Sequence, residues 1–130
     1  MKINKNVKRW LLKADHDLKN AKIILRQPIQ EILNITDTIC FHCQQAIEKY
    51  LKGYLTFKGI EFSKTHDLNV LKELCCCIDK EFSTIEIHLL NEYSVEVRYP
   101  DDYFIPTLRE TRYIYKISIS IRKLVLSKLI

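Results

Sequence analysis

Glycine and proline are scarce in this sequence, with two glycines and three prolines among 130 residues. Sandwiches, barrels, Rossmann units and P-loops need glycines at turns or against phosphates, so this scarcity argues against all four classes. The length is typical of one domain, and we expect residues 1–130 to form one. A composition of 47% hydrophobic and 28% charged residues excludes a disordered tail and a fibrous repeat. The fold class that remains is a small helical domain with few tight turns.

A long apolar run is also missing from the N-terminal stretch MKINKNVKRWLLKADHDLKNAKIIL, which is charged throughout. We therefore expect no signal peptide, no membrane span and a cytoplasmic protein without a membrane partner. The five cysteines are odd in number and include three adjacent ones at 75–77, a pattern that fits no disulfide framework. We expect them to be reduced.

The cysteine spacing does not favour a metal site. Cys40 and Cys43 lie on one face of a predicted helix, with His42 between them. The adjacent cysteines at 75–77 point about 100° apart on a helix, so at most two of them converge. No turn spacing supports structural zinc. We interpret the cysteines as core residues and expect no metal and no cofactor.

Charge is distributed unevenly around a net value of +5. Residues 1–26 carry eight basic and two acidic side chains, and residues 107–130 carry six and one. Residues 67–106 carry three basic and nine acidic side chains. Two interpretations remain open: a polar surface suited to oriented association, or opposite charges that face each other across neighbouring helices.

Apolar residues recur at three- and four-residue steps and predict five helices. The first helix ends before Pro28. The second begins with Thr36 or Asp37 as a possible N-cap and has Gly59 as its C-cap. Thr65 or Asp67 can cap the third. Residues 27–35 form a connection with room for one short helical turn. The predicted fold is all-α, an up-and-down bundle of four to five antiparallel helices with the second helix at its centre. The approximate ranges are 4–26, 36–58, 67–78, 84–98 and 107–129.

Three segments carry motifs whose order and spacing can be compared with known families. They are Trp10-Leu11-x-x-Ala14-x-x-Asp17-Leu18-x-x-Ala21, then Phe41-His42-Cys43-Gln44-Gln45-Ala46-Ile47-Glu48-Lys49-Tyr50-Leu51-Lys52 followed by Thr65-His66-Asp67-Leu68, and Val97-Arg98-Tyr99-Pro100. Together they resemble the HEPN (higher eukaryotes and prokaryotes nucleotide-binding) domain family over roughly residues 8–128. The resemblance implies a four- or five-helix bundle that is usually a homodimer. It also implies, for small stand-alone members, a minimal nucleotidyltransferase as partner in a toxin–antitoxin-like pair.

Many members of that family are metal-independent ribonucleases in which an arginine is followed, after four to six residues, by a histidine. The arginine stabilises charge on the phosphate and the histidine moves a proton. Here Arg98 is followed by Tyr103, and no histidine occurs after His88. Tyrosine holds its proton at neutral pH, so ribonuclease activity by the usual route is not expected. The leading interpretation is a binding module that dimerises and partners a nucleotidyltransferase. Two alternatives stay open: a ribonuclease toxin that uses Arg98 with Tyr103 or His66 from a dimer partner, and a structural bundle without ligand.

Two groups of residues are candidates for a ligand site. Arg98 beside a rigid proline turn can present its planar fork to a nucleotide or RNA phosphate, and Tyr99 can stack on a base. In the competing interpretation Arg98 pairs with nearby acidic residues and the aromatic side chains fill the end of the bundle. Polar residues share one side of the second helix, where Glu48 and Lys52 form an i,i+4 ion pair in the favourable order. This side is either a solvated helix face or, because the helix is expected to be central, a polar cleft or a dimer seam with Gln45 and Lys49 as candidates. His66 is either a general base or ligand or a local cap or packing residue. The predicted ligand-binding residues are Gln45, Lys49, His66, Arg98 and Tyr99, and the predicted catalytic residues are Arg98 and Tyr103.

Overall fold

The computed structural model describes residues 3–87 and 105–130, and in these two ranges all regular structure is helical. The predicted all-α helical bundle is confirmed. Within the described ranges no helix is both long enough and apolar enough to cross a bilayer. The helices are α1 (Lys5–Leu25), α2 (Ile29–Ile32), α3 (Thr36–Phe57), α4 (Leu68–Ile78) and α5 (Leu108–Ser127), with a 3₁₀ helix at Lys80–Thr84.

Helix α1 begins and ends as its sequence predicts. The Asn4 side chain accepts a hydrogen bond from the Val7 amide at 2.9 Å, which caps the first turn. The helix ends shortly before Pro28, and α2 forms the short turn expected in the connection. The apolar stripe of α1 is buried at Ala14, Leu18 and Ala21 and faces α3. Periodicity alone therefore located this helix and its buried face.

Helix α3 is the centre of the bundle, as predicted, and packs against α1, α4 and α5. Its interior glycine, Gly53, permits the close approach of α1, because a Cβ there would lie 3.3 Å from Leu11 Cδ2 and Trp10 Cβ. Gly59, two residues past the helix, adopts a φ of +69°, so its predicted role in ending the helix is confirmed. The chain can therefore turn sharply towards α4.

The start of α3 differs from the prediction. Thr36 is the first residue of the helix, and Ile35 occupies the N-cap position without a side-chain hydrogen bond. The buried Thr36 hydroxyl instead donates to the Pro106 carbonyl at 2.7 Å. The expectation that Thr36 or Asp37 caps α3 is wrong, because the Thr36 hydroxyl joins α3 to the segment that leads into α5. Helix α4 is capped by one of the two predicted residues, since Asp67 accepts from the Asn69 amide at 2.9 Å.

The predicted helix over 84–98 does not begin where expected. Asp79 caps the 3₁₀ helix Lys80–Thr84 by accepting from the Glu81 amide, and this turn buries Phe82. Residues 85–87 are not helical, and the carbonyl of Ile85 accepts a hydrogen bond from the Lys72 side chain at 2.5 Å. The remainder of that predicted helix lies outside the described residues. So do three predicted site residues, Arg98, Tyr99 and Tyr103.

Candidate functional site

A buried ion pair lies on α3 between Glu48 and Lys52. Their side chains are 3% and 7% exposed, and Lys52 Nζ lies 3.0 Å from Glu48 Oε2. The favourable i,i+4 pairing read from the sequence is thus present, but it is buried rather than on a solvated helix face. A buried charge is costly unless it is paired and hydrogen-bonded, so each residue depends on the other.

Aromatic rings cover the ammonium end of this ion pair. Lys52 Nζ lies 5.4 Å from the centroid of the Trp10 ring and 5.9 Å from that of Phe62. The two rings lie 6.3 Å apart and tilt against each other. The negative faces of aromatic rings attract a cation, and the attraction grows when water is excluded. Trp10 and Phe62 therefore add attractive contacts to the Lys52 ammonium beside its ion pair with Glu48.

His66 completes the cluster around Glu48. Its Nδ1 lies 3.1 Å from Glu48 Oε1 and 3.2 Å from Oε2, while 43% of its side chain is exposed. An ionised carboxylate only accepts hydrogen bonds, so Nδ1 is the donor. His66 does not cap α4, because Asp67 does so. The carboxylate fixes the orientation of the imidazole ring through this contact.

A second polar cluster lies between α1 and α3 around Asp17. Lys49 Nζ donates to Asp17 Oδ2, and His42 Nδ1 lies 3.2 Å from Asp17 Oδ1. All three side chains are largely buried, with 14% of the Asp17 side chain exposed and 22% of each partner. Lys49 therefore binds the opposite helix of the same chain. The apolar periodicity of α1 does not mark Asp17 as a site residue. The only sequence signal for Asp17 is its place in the first motif.

Gln45 takes part in neither cluster. Its Nε2 donates to Gln44 Oε1 at 3.0 Å. Gln44 is fully buried, and its own Nε2 is without a hydrogen-bond partner within residues 3–87 and 105–130. The predicted residues Gln45, Lys49 and His66 thus contact three different partners. Of the three, only His66 reaches the buried Glu48–Lys52 pair.

Comparison with known proteins gives the family. Residues 7–129 match the family described as "HEPN domain". The chain belongs to the HEPN domain family. The crystal structure of ST0689, described as an archaeal HEPN homologue, superposes with a TM-score of 0.67 at 25% sequence identity, covering 98% of this chain and 100% of that one. No curated protein sequence matches the chain.

In this HEPN domain the two adjacent motifs of the middle of the chain meet in space. The segment from Phe41 to Lys52 lies on α3, and the segment from Thr65 to Leu68 leads into α4. One contact between them is the hydrogen bond that His66 makes with Glu48. The loop is therefore held to the central helix by a charged hydrogen bond.

The cysteines of the HEPN domain are free thiols, and three of them belong to its core. Cys40, Cys43 and Cys75 are buried, which confirms the core interpretation for them, whereas Cys76 is half-buried and Cys77 is exposed. Burial raises the pKa of the Cys43 and Cys75 thiols to about 12. These two thiols stay protonated at neutral pH and are poor nucleophiles. Within the described residues no group of three or more histidine, cysteine or acidic side chains is arranged to hold a metal ion.

Proposed function

We propose that this chain is a single-domain HEPN module of the cytoplasm that forms a homodimer and partners a minimal nucleotidyltransferase in a toxin–antitoxin-like pair. A nucleotide or RNA phosphate binds near Arg98, with Tyr99 against the base and Gln45, Lys49 and His66 as the further ligand-binding residues. Five free cysteines, three of them buried as thiols, support a reducing compartment.

The observation that carries this proposal is the charged contact between the two middle motifs in a chain of the HEPN family. Glu48 is buried, yet it holds both Lys52 and the partly exposed His66. A buried network that also reaches solvent is common at binding sites, because it fixes a polar group where a ligand can meet it. The arrangement therefore supports a ligand site at the exposed edge of His66.

The departure from the family's ribonuclease pattern supports a binding module over a nuclease. Tyr103 follows Arg98 at the spacing where a histidine is expected, and no histidine occurs later in the chain than His88. A phenol does not shuttle protons well at neutral pH. The proposal accordingly gives Arg98 the role of holding a phosphate.

Two experiments test this proposal. Affinity purification of the tagged chain from its native cell, at ordinary salt, should retain a nucleotidyltransferase.

The second experiment measures nucleotide binding by the purified chain. A fluorescent nucleotide should bind the wild type and lose affinity in Arg98→Ala, while Arg109→Ala, which removes an exposed arginine of α5, should bind as the wild type does. Retention of no nucleotidyltransferase contradicts the partner assignment, and equal nucleotide binding by wild type and Arg98→Ala contradicts the phosphate site.

A second candidate function, a metal-independent ribonuclease, is favoured by the geometry of His66. Glu48 accepts from Nδ1 of this histidine and fixes the orientation of its ring, and an oriented imidazole is the group that the family's ribonuclease pattern places after Arg98. In this case RNA would be cleaved in EDTA, and cleavage would be lost in both His66→Ala and Arg98→Ala. An intact RNA substrate after prolonged incubation with folded wild-type protein contradicts the nuclease.

A further inference from the structure

A groove of about 410 Å³ runs between the second half of α1 and the middle of α5. On the α1 side, Lys19, Lys22 and Arg26 follow one another at three- and four-residue steps and so share one helix face. On the α5 side, Tyr115 and Arg122 are seven residues apart and also share a face. Basic side chains from two helices thus line both sides of the groove.

Three of the four basic side chains in the groove keep their charge available. Lys19, Lys22 and Arg26 are exposed and form no ion pair with any residue of the ranges 3–87 and 105–130. Arg122 is different, because its Nε donates to Asp15 Oδ1 at 3.0 Å. The acidic side chain that lines the groove is therefore already compensated by Arg122. The row on α1 spans about 10 Å, is exposed, and has no counter-ion among the residues that the structure describes.

The fold holds the far wall of the groove in place. Tyr50 of the buried core also donates to Asp15, so Asp15 fixes the Arg122 side chain and ties α5 to α1. Tyr115 is half-buried, which leaves part of its ring at the groove. Burial raises the pKa of Tyr115, and the positive charge of Arg26, which lines the same groove, lowers it.

We propose that this groove binds the phosphodiester backbone of a single-stranded nucleic acid, with Lys19, Lys22 and Arg26 on successive phosphates and Tyr115 against a base. The proposal extends the proposed function, because it assigns a surface that does not include Arg98. A regular row of uncompensated cations on a helix matches the repeating charge of a backbone. An aromatic ring beside such a row offers a stacking surface for an unpaired base, which a duplex would not present.

An acidic protein segment is the competing occupant, because the half-exposed Ile23 also lies in the groove. Leu18 and Ile119 also line the groove, but Leu18 is buried and Ile119 is partly buried. Ile23 alone is a small anchor for a helix, since a docked amphipathic helix needs apolar contacts at several consecutive turns. The aromatic ring and the three uncompensated cations fit a nucleic acid better. The acidic segment is therefore treated as an outcome of the test.

The test is the salt dependence of binding to fluorescein-labelled oligonucleotides of about twelve residues, one RNA and one DNA of the same sequence. Anisotropy titrations from about 50 to about 200 mM sodium chloride give the slope of log K against log salt. The variant is Lys22→Ala/Arg26→Ala. The control is Lys64→Ala/Lys80→Ala, which removes the same charge from exposed positions outside the groove. Circular dichroism melts verify that each protein is folded.

The expected result is binding whose slope becomes shallower by about 1.4 in the groove variant, because each lost phosphate contact on a single strand removes about 0.7. The control should retain the wild-type slope, and Tyr115→Leu should weaken binding without changing the slope. Equal binding of RNA and DNA supports recognition of the phosphodiester backbone. Preferential binding of one of them, lost in the groove variant, identifies that nucleic acid as the ligand.

Three results would overturn the proposal. The first is no binding by folded wild-type protein at the lowest salt. The second is an equal change of slope in the groove variant and the control. The third is tighter binding of a glutamate-rich peptide than of either oligonucleotide, again lost in the groove variant, which would assign the groove to an acidic protein segment. Loss of binding in Arg98→Ala alone would overturn the groove while it supports the proposed phosphate site, so the two assignments fail separately.

Discussion

At the scale of single residues, the position of Glu48 determines most of the candidate site. Its carboxylate is 3% exposed and serves two partners, Lys52 on the same helix and His66 from the loop before α4. The sequence predicts the spacing of Glu48 and Lys52, but it gives no measure of their burial. Burial follows from Trp10 and Phe62, two aromatic side chains far apart in sequence that pack over Lys52. Periodicity cannot reveal such a contact.

Replacement of Glu48 by glutamine should cost about 3 kcal/mol of unfolding free energy, because it leaves the Lys52 charge buried without its counter-ion. The measurement is urea unfolding followed by circular dichroism. Glu73→Gln removes an exposed carboxylate from α4 and should stay within about 0.5 kcal/mol of the wild type. Similar stabilities of the two variants would contradict the description of the Glu48–Lys52 pair as a buried one.

The five thiols should differ in reactivity because they differ in solvent exposure. At about pH 8, Cys77 should react with a thiol reagent in a fast phase, because it is exposed, whereas Cys43 and Cys75, with pKa values of about 12, should react only on unfolding. The measurement is a stopped-flow titration with and without denaturant. Cys77→Ser should remove the fast phase, and persistence of that phase at full amplitude would contradict the exposures of the five thiols.

At the scale of elements, apolar periodicity was sufficient for the longer helices and insufficient for the 3₁₀ helix Lys80–Thr84. Helices α1, α3 and α5 each repeat the apolar step over several turns, so their ranges follow from the sequence. The 3₁₀ helix Lys80–Thr84 buries only Phe82, and one apolar residue defines no period. The hydroxyl of Thr36 has two possible partners, its own helix end or Pro106, and only the tertiary fold decides between them.

Lys128, which follows α5, connects that helix end to the 3₁₀ helix through an ion pair that is sensitive to acid. Its Nζ lies 2.8 Å from Asp79 and 2.6 Å from Glu81. The hydrogen bond from Lys128 is the largest cause that lowers the pKa of Asp79 below 3.8. A carboxyl with a lowered folded pKa stabilises the fold above its unfolded pKa, and this contribution disappears as the pH falls through the folded value.

Asp79→Asn should therefore lower the melting temperature at neutral pH and make no difference once the pH is below the lowered pKa of Asp79. Asparagine still caps the 3₁₀ helix, so the comparison isolates the charge. Thermal melts of both proteins across the acid range provide the measurement. A difference in melting temperature that stays constant down to the lowest pH would contradict the proposed role of the ion pair.

At the scale of the whole molecule, membership of the HEPN family and the all-helical fold were both predictable, because the first motif and the segment from Phe41 to Lys52 lie on two of the longest periodic segments, α1 and α3. The site was predictable only in part. His66 was recognised from its motif, but its partner Glu48 and the Asp17 cluster depend on which helix faces are buried together. The sequence marks residues that carry chemistry, and packing decides which of them meet.

The central claim is that this chain dimerises and binds a nucleotidyltransferase, and light scattering coupled to size exclusion tests it most directly. The chain is run alone and then with a purified nucleotidyltransferase that its affinity purification retains. The predicted result is a mass twice the 15.5 kDa of the chain when it is alone, and a larger complex of fixed stoichiometry with the partner. A chain that elutes at 15.5 kDa alone, and at the same mass when the nucleotidyltransferase is present, would contradict the claim.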